Sequence, residues 1–139
     1  MTDSPDDALV DALVQTSFVV TGALTRIAAE RDLSLTQLRM LGVLRDRRPR
    51  MAQLAALLGL DKSTVSGLVE RAERRGLVRR VPSADDARAV EVEATAEGLA
   101  LARAGAADVR SALQPLLGAV DAERRSALTA ELERMLSGR

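Results

Sequence analysis

In the run LGLDKSTVSGLVERAERRG, residues 58–76, four short or flexible polar side chains, Lys62, Ser63, Thr64 and Ser66, precede Gly67, and Arg71 follows one helical turn later. No base stands beside these hydroxyls to make a nucleophile, and no ligand set surrounds them. Hydroxyls that donate and accept, an ammonium and a guanidinium are instead the groups that hold phosphates and read base edges. The chemistry they imply is recognition. Asp61 is placed to cap a helix beginning at Lys62, which would aim that helix's first turn outward. Free N–H groups and the positive end of the helix dipole lie there, and both favour anions.

A second cluster surrounds the turn PSADDAR, where Arg79, Arg80 and Arg88 frame Asp85 and Asp86. An acid paired with Arg88 would orient its guanidinium toward a minor groove. Each cluster also has a plainer reading: solvated hydroxyls at a helix start, an arginine face ion-paired to Glu70 and Glu73, and a surface turn rich in Asp and Ser.

Composition removes the competing chemistries. The 139 residues contain no Cys and no His, so thiol redox, histidine-based catalysis and the usual zinc sites are unavailable. No metal, cofactor or enzymatic activity is expected. Phe18 is the sole aromatic residue, so the core must be aliphatic, and single-stranded nucleic acid would find nothing to stack on. With 47% hydrophobic and 29% charged residues, a chain of one-domain size should fold. Its net charge of zero is unevenly spread: residues 45–90 hold 11 basic and 6 acidic side chains, +5, and the rest balances at −5. A basic middle between acidic ends points to one region that meets an anion. The acidic start (Asp3, Asp6, Asp7, Asp11) and the short, interrupted uncharged run Ala12 to Thr25 resemble neither a signal peptide nor a membrane span. No membrane partner is expected, and the expected location is cytoplasmic.

The elements that must position these groups follow from periodicity. Leu9, Leu13, Thr16, Val20, Leu24 and Ile27 recur every three or four residues, which predicts a helix over 6–31. Val10, Val14, Phe18 and Val19 widen its apolar face beyond what one small domain needs, and a partner helix would cover it. Ser34 and Gln37 form a capping box for a second helix that buries Leu38, Leu41 and Leu44 and ends before Pro49. A short helix spans Met51 to Leu58, and after a turn at Gly59 the next runs to about Arg75, with Gly76 as its stop. Leu77–Val81 and Ala89–Ala94 alternate as a β-hairpin. Thr95 caps a further helix carrying Leu99, Val109, Leu113 and Leu116, which Pro115 is expected to kink or end. A last helix follows Asp121, with Leu128, Leu132, Met135 and Leu136 on its apolar face.

Counted from Met51, the fifth, ninth and fifteenth positions are Ala55, Gly59 and Val65. These meet the demands of a helix-turn-helix: a small residue where the helices cross, a glycine where the turn favours positive φ, and a buried aliphatic residue. Leu54, Leu58, Leu60 and Leu68 complete the small core, and the second helix's first residues would then reach base edges in a major groove.

The element order, with LSLTQLRML, LAALLGLDKSTVSGLVERAERRGLVRR and DARAVEVEATAEG, resembles the MarR family of winged-helix transcriptional regulators along nearly the whole chain. The resemblance implies a mostly α fold with a small β-hairpin wing: a winged helix-turn-helix over 33–95 that binds double-stranded DNA, and helices over 1–32 and 96–139 that intertwine in a homodimer. It implies a regulator, most often a repressor, on a pseudo-palindrome with half-sites roughly 34 Å apart. The DNA-binding positions it assigns are Lys62, Ser63, Thr64, Ser66, Gly67, Arg71, Arg79, Asp86 and Arg88, with Asp86 and Arg88 matching the family's Asp-x-Arg wing. Two departures weaken the wing: Ala94-Thr95 replaces the usual Leu-Thr, and Ala87 replaces a common second arginine. They keep open an alternative, a winged-helix protein-interaction module that no longer binds an operator. The family also implies release by a small-molecule effector of unknown identity, bound among the first, second and fifth helices. Arg26, Arg39, Phe18 and Met40 lie in those segments, though ordinary amphipathic-helix roles are the preferred reading of all four.

Overall fold

The computed structural model describes residues 4–139, so Asp3 of the acidic start lies outside the described residues. Among them, the order is α1 (Pro5–Glu30), α2 (Leu35–Leu44), α3 (Met51–Leu58), α4 (Lys62–Arg74), β1 (Val78–Pro82), β2 (Val90–Ala94), α5 (Ala96–Gly118) and α6 (Ala122–Ser137). Every helix but α3 starts on a capping side chain read from the sequence or of the same type: Ser4, Ser34, Asp61, Thr95 and Asp121 each accept a backbone N–H in the first turn. The Ser34–Gln37 capping box is present in both directions, at 3.1 and 3.0 Å.

The core is aliphatic, as the lack of aromatics requires. Met40, Leu41, Leu54, Val65, Val69 and Val92 are its largest fully buried side chains, drawn from α2, α3, α4 and β2. Ala55 and Leu58 are buried where α3 crosses α4, and Gly59 makes the turn at φ 66°. A side chain with a Cβ is strained in that region of backbone space.

Strands β1 and β2 pair antiparallel from Val78↔Ala94 to Pro82↔Val90. Each begins one residue later than alternation places it, since Leu77 is taken up closing α4 against the Ala72 carbonyl. A feature absent from the sequence reading joins this hairpin to the α2–α3 connection. The Val92 N–H donates to the Pro49 carbonyl at 2.9 Å, and Arg50 bridges Glu91 in antiparallel fashion. The wing is thereby stitched to the front of α3.

Two close contacts fasten the wing to α5. Thr95 donates its hydroxyl hydrogen to the Gly76 carbonyl at 2.6 Å while accepting from the Gly98 N–H at 3.1 Å. Gly98 itself lies so near Leu77 that a Cβ there would sit 1.8 Å from the Leu77 carbonyl oxygen. Arg31 at the end of α1 pairs with Asp108 of α5 at 2.7 Å.

Pro115 does not end its helix. α5 continues to Gly118: the bond that proline forfeits and the crowding of its ring against the carbonyl one turn back both fall at an exposed helix end, where water can replace the bond.

The outer helices are exposed. Of the 26 residues of α1 only Ala23, Ile27 and Ala28 are buried, and α6 buries none of its 16. Leu9, Val10, Leu13, Val14, Phe18 and Val19 on α1, and Leu128, Leu132, Met135 and Leu136 on α6, all stand open in the single chain. By length and composition alone α1 is also long and apolar enough to cross a membrane, with a mean hydropathy of 1.5 over its best window. This differs from the expectation drawn from the uncharged run Ala12 to Thr25, because an apolar window of 18 residues tolerates a charged residue or two at its ends.

Candidate nucleic-acid interface

The first turn of α4 is built from its cap outward. Asp61 accepts the Thr64 N–H at 2.8 Å and the Ser63 hydroxyl at 2.8 Å through the same oxygen, Oδ1. Those bonds, led by the one from Thr64, hold the Asp61 carboxyl below the usual carboxylate range. Val65, Leu68, Val69 and Ala72 turn inward and are buried, so Lys62, Ser63, Thr64, Ser66 and Arg71 are exposed around one outward face. Gly67 is half-buried on that face. A Cβ there would lie 3.3 Å from an Arg71 guanidinium nitrogen, so the glycine makes room for that side chain to lie back along the helix.

The remaining arginines of the basic region divide by partner. Arg74 pairs loosely with Glu70 at 3.7 Å, one turn earlier. Glu73 instead meets Arg80 of β1 at 3.3 Å, and Arg80 also reaches the Ser66 carbonyl at 3.5 Å, tying the wing's first strand to α4. Arg75 donates to the Asp32 carbonyl at 2.5 Å, where Asp32 takes a left-handed conformation, φ 55°, to end α1. Arg75 thus joins α4 to the α1–α2 connection and is occupied there.

In the wing, Arg79 is directly opposite Glu93 and donates to it at 2.6 Å. The Arg79 guanidinium, with Arg48 near it, holds the Glu93 carboxyl below its ordinary range. Asp86 and Arg88 interact, but through the backbone: the Arg88 N–H donates to Asp86 Oδ1 at 3.0 Å. This is an Asx turn that shapes the loop and leaves the Arg88 guanidinium exposed, rather than the guanidinium pair expected from the sequence. The physical reason is spacing, since two residues apart in a tight turn an aspartate reaches the near amide more readily than the far end of an arginine.

Arg48 was counted in the sequence only as one of the basic side chains. Its Nε donates to Glu91 Oε1 at 2.9 Å, one terminal nitrogen donates to Glu93 Oε2 at 3.0 Å, and the other reaches the Pro82 carbonyl at 3.4 Å. The legible signal was in β2: residues two apart share one face of a strand, so Glu91 and Glu93 together call for a cation.

A slot of about 170 Å³ lies between α1, α2 and α5, lined by Leu24, Leu35, Leu38, Arg39, Gly42, Ala102, Gly105, Ala106 and Val109. Of the four side chains considered for such a site, only Arg39 lines it. Met40 is fully buried in the core and Phe18 is 72% exposed.

Among the described residues no cluster of acidic side chains could hold a metal ion. What the arrangement can do is non-covalent: an exposed helix N-terminus with short donors, a projecting arginine-tipped loop, and a rigid aliphatic base beneath them.

Comparison with known proteins agrees with this geometry. The MarR family profile matches residues 31–89. Over 110 residues, which cover 78% of this chain and 70% of the relative, the sequence is 34% identical to the HTH-type transcriptional repressor NicR of Pseudomonas putida. The structure of CouR from Rhodococcus jostii RHA1 bound to p-coumaroyl-CoA is similar with a TM-score of 0.84 and 24% identity, covering 96% of this chain and 95% of that one. The S. aureus MepR–DNA complex gives a TM-score of 0.75 and 23% identity, covering 94% and 97%. At such identities the two structures speak for the fold, while NicR and the family profile carry the kinship. Six helices, a helix-turn-helix at Met51–Arg74, a two-stranded wing and these similarities together make the chain a member of the MarR family of winged helix-turn-helix transcriptional regulators.

Proposed function

We propose that two copies of this chain bind a pseudo-palindromic operator in double-stranded DNA and repress transcription from it. The observation that carries the proposal is the first turn of α4, where Lys62, Ser63, Thr64 and Ser66 stand exposed on a helix start already capped by Asp61. Short side chains there let the backbone approach a groove closely, and the dipole and free N–H groups favour its phosphates. Gly67 and Arg71 continue the same face. Arg79, Asp86 and Arg88 belong to the wing's part of the interface, with the Arg88 guanidinium as its minor-groove group and Asp86 holding the loop that carries it.

Dimerisation rests on α1 and α6. Bringing their exposed apolar side chains together removes roughly half of each from water, about 1 kcal/mol per side chain and roughly 20 kcal/mol per pair of chains. That offsets the loss of translational and rotational freedom on association, about 4–15 kcal/mol, with the remainder set against ordering of the interface side chains. On this reading the apolar α1 faces a second copy rather than a lipid bilayer, residues 1–32 and 96–139 dimerise, residues 33–95 read DNA, and the protein works in the cytoplasm. The repressor role takes support from the name of NicR. CouR, crystallised with an acyl-CoA ligand, supports an effector that acts through the slot between α1, α2 and α5.

One observation favours the alternative interaction module: Arg79 and Arg80, two of the wing's cations, are already engaged by Glu93 and Glu73. Fluorescence anisotropy with DNA from the chain's own upstream region distinguishes the two. Tight binding that weakens steeply with salt supports the operator reading. No binding at low salt refutes it, and a stable protein partner that survives replacement of Ser63, Thr64 and Arg71 by alanine then supports the module.

A further inference from the structure

Outside the recognition turn, a connected polar network runs from the α2–α3 connection into the wing. Arg48 holds Glu91 and Glu93, whose side chains are only 17% and 23% exposed. The second oxygen of Glu91 accepts the Ser83 hydroxyl hydrogen at 3.1 Å. Ser83 is the one buried polar residue among those described, 5% exposed, and its hydroxyl oxygen accepts the Asp85 N–H at 3.3 Å. The Ser83 N–H in turn donates to the Ala89 carbonyl at 2.9 Å, which closes the loop that presents Arg88.

We propose that Arg48, Glu91 and Ser83 are positioning residues for operator binding: they fix the wing loop from its base, so that Arg88 is presented in one orientation before DNA arrives. The proposal rests on the operator-binding reading above. A loop left free would be ordered only on binding, at a cost in affinity that a pre-ordered loop avoids. Each link is suited to the task. A guanidinium that bonds two carboxylates has fixed planar geometry, and the partial burial of Glu91 and Glu93 lessens screening on the carboxylate side of the pairs. The buried serine then carries that constraint across to the loop backbone.

This role has a signature opposite to that of a surface charge. Glu91→Gln removes a negative charge from the DNA-binding half of the chain, and by charge alone it should tighten binding. A positioning role predicts the reverse, about fivefold weaker operator binding, equivalent to about 1 kcal/mol. Ser83→Ala, which alters no charge, should weaken binding by a similar factor and leave the slope of log K against log salt unchanged. In the DNA-free protein, both variants should speed amide exchange at Arg88 and Ala89 severalfold while α4 amides and the melting temperature stay near wild type.

Equal or tighter binding by Glu91→Gln, or unchanged exchange at Arg88 and Ala89 in both variants, overturns the proposal. If Glu91→Gln fails to fold, Ser83→Ala decides alone. Because exchange is read without DNA, failure of the positioning role is distinguishable from failure of operator binding, which would show as no wild-type affinity.

Discussion

Gly98 offers the sharpest test of how the reading head is fastened to α5, because two physical rules give opposite signs for its replacement. It sits in the first turn of α5, where alanine is worth about 1 kcal/mol more than glycine by helix propensity. Yet a Cβ would lie 1.8 Å from the Leu77 carbonyl oxygen and 2.8 Å from its carbon, both backbone atoms that no rotamer can move aside. Relief requires α5 and the start of β1 to separate by well over an ångström. The Leu77 carbonyl accepts the Thr95 N–H at 3.0 Å and the neighbouring Gly76 carbonyl accepts the Thr95 hydroxyl at 2.6 Å, so that separation breaks both bonds. Two lost hydrogen bonds at about 1 kcal/mol each, plus about 1–3 kcal/mol of overpacking, outweigh the propensity gain. The expected net loss is about 2–4 kcal/mol. Urea unfolding at fixed protomer concentration measures it, with Gly42→Ala as the control. Gly42 lies inside α2 with nothing within 4 Å of a built Cβ, so alanine there should be neutral or stabilising by up to about 1 kcal/mol. A Gly98→Ala protein as stable as wild type would refute the reasoning.

Other consequences are equally direct. Leu132→Glu on α6, or Leu13→Glu on α1, places a charge in the proposed dimer face, and sedimentation should show the dimer shifting to monomer at micromolar concentration. Arg88→Ala should weaken operator binding and reduce the salt slope by about 1.8, the share of two phosphate-proximal cations, one from each copy; an unchanged slope would remove Arg88 from the electrostatic contacts. The depressed Asp61 carboxyl stabilises the fold above the usual aspartate value of about 4, and that contribution is lost as pH falls through its lower folded value. Asp61→Asn should therefore flatten the acid side of the stability profile in that window, as read by thermal melts between pH 2 and 5.

Much of this molecule is legible in its sequence, for local reasons. Ser34, Asp61, Thr95 and Asp121 are capping residues ahead of apolar periodicity, and Gly59 and Gly76 take the positive φ that their turns require. The surplus apolar face of α1 is visible from Leu9 to Phe18 because no intrachain neighbour could cover it. What escaped was non-local. Arg48 meets Glu91 and Glu93 some 43 and 45 residues away, and Arg75 meets the Asp32 carbonyl 43 residues earlier. Nothing in the immediate sequence of either arginine marks it as structural. The close approach of Gly98 to Leu77 was equally hidden, since a glycine near a helix start reads as tolerated flexibility until the opposing backbone is known. At the candidate interface, the exposed turn from Lys62 to Ser66 could be read from helix phase. The backbone-mediated contact between Asp86 and Arg88 could not, because sequence gives the pair of charges without the turn that decides which atoms meet.

The central claim is that two copies of the Lys62–Arg74 helix enter successive major grooves on one face of DNA. Hydroxyl-radical footprinting of the chain's own upstream region tests it most directly. The account predicts two protected patches with centres about 10 base pairs apart, related by a pseudo-two-fold axis, and both lost together in a Ser63→Ala, Thr64→Ala double variant. A single protected half-site, or protection that survives in that variant, would contradict it.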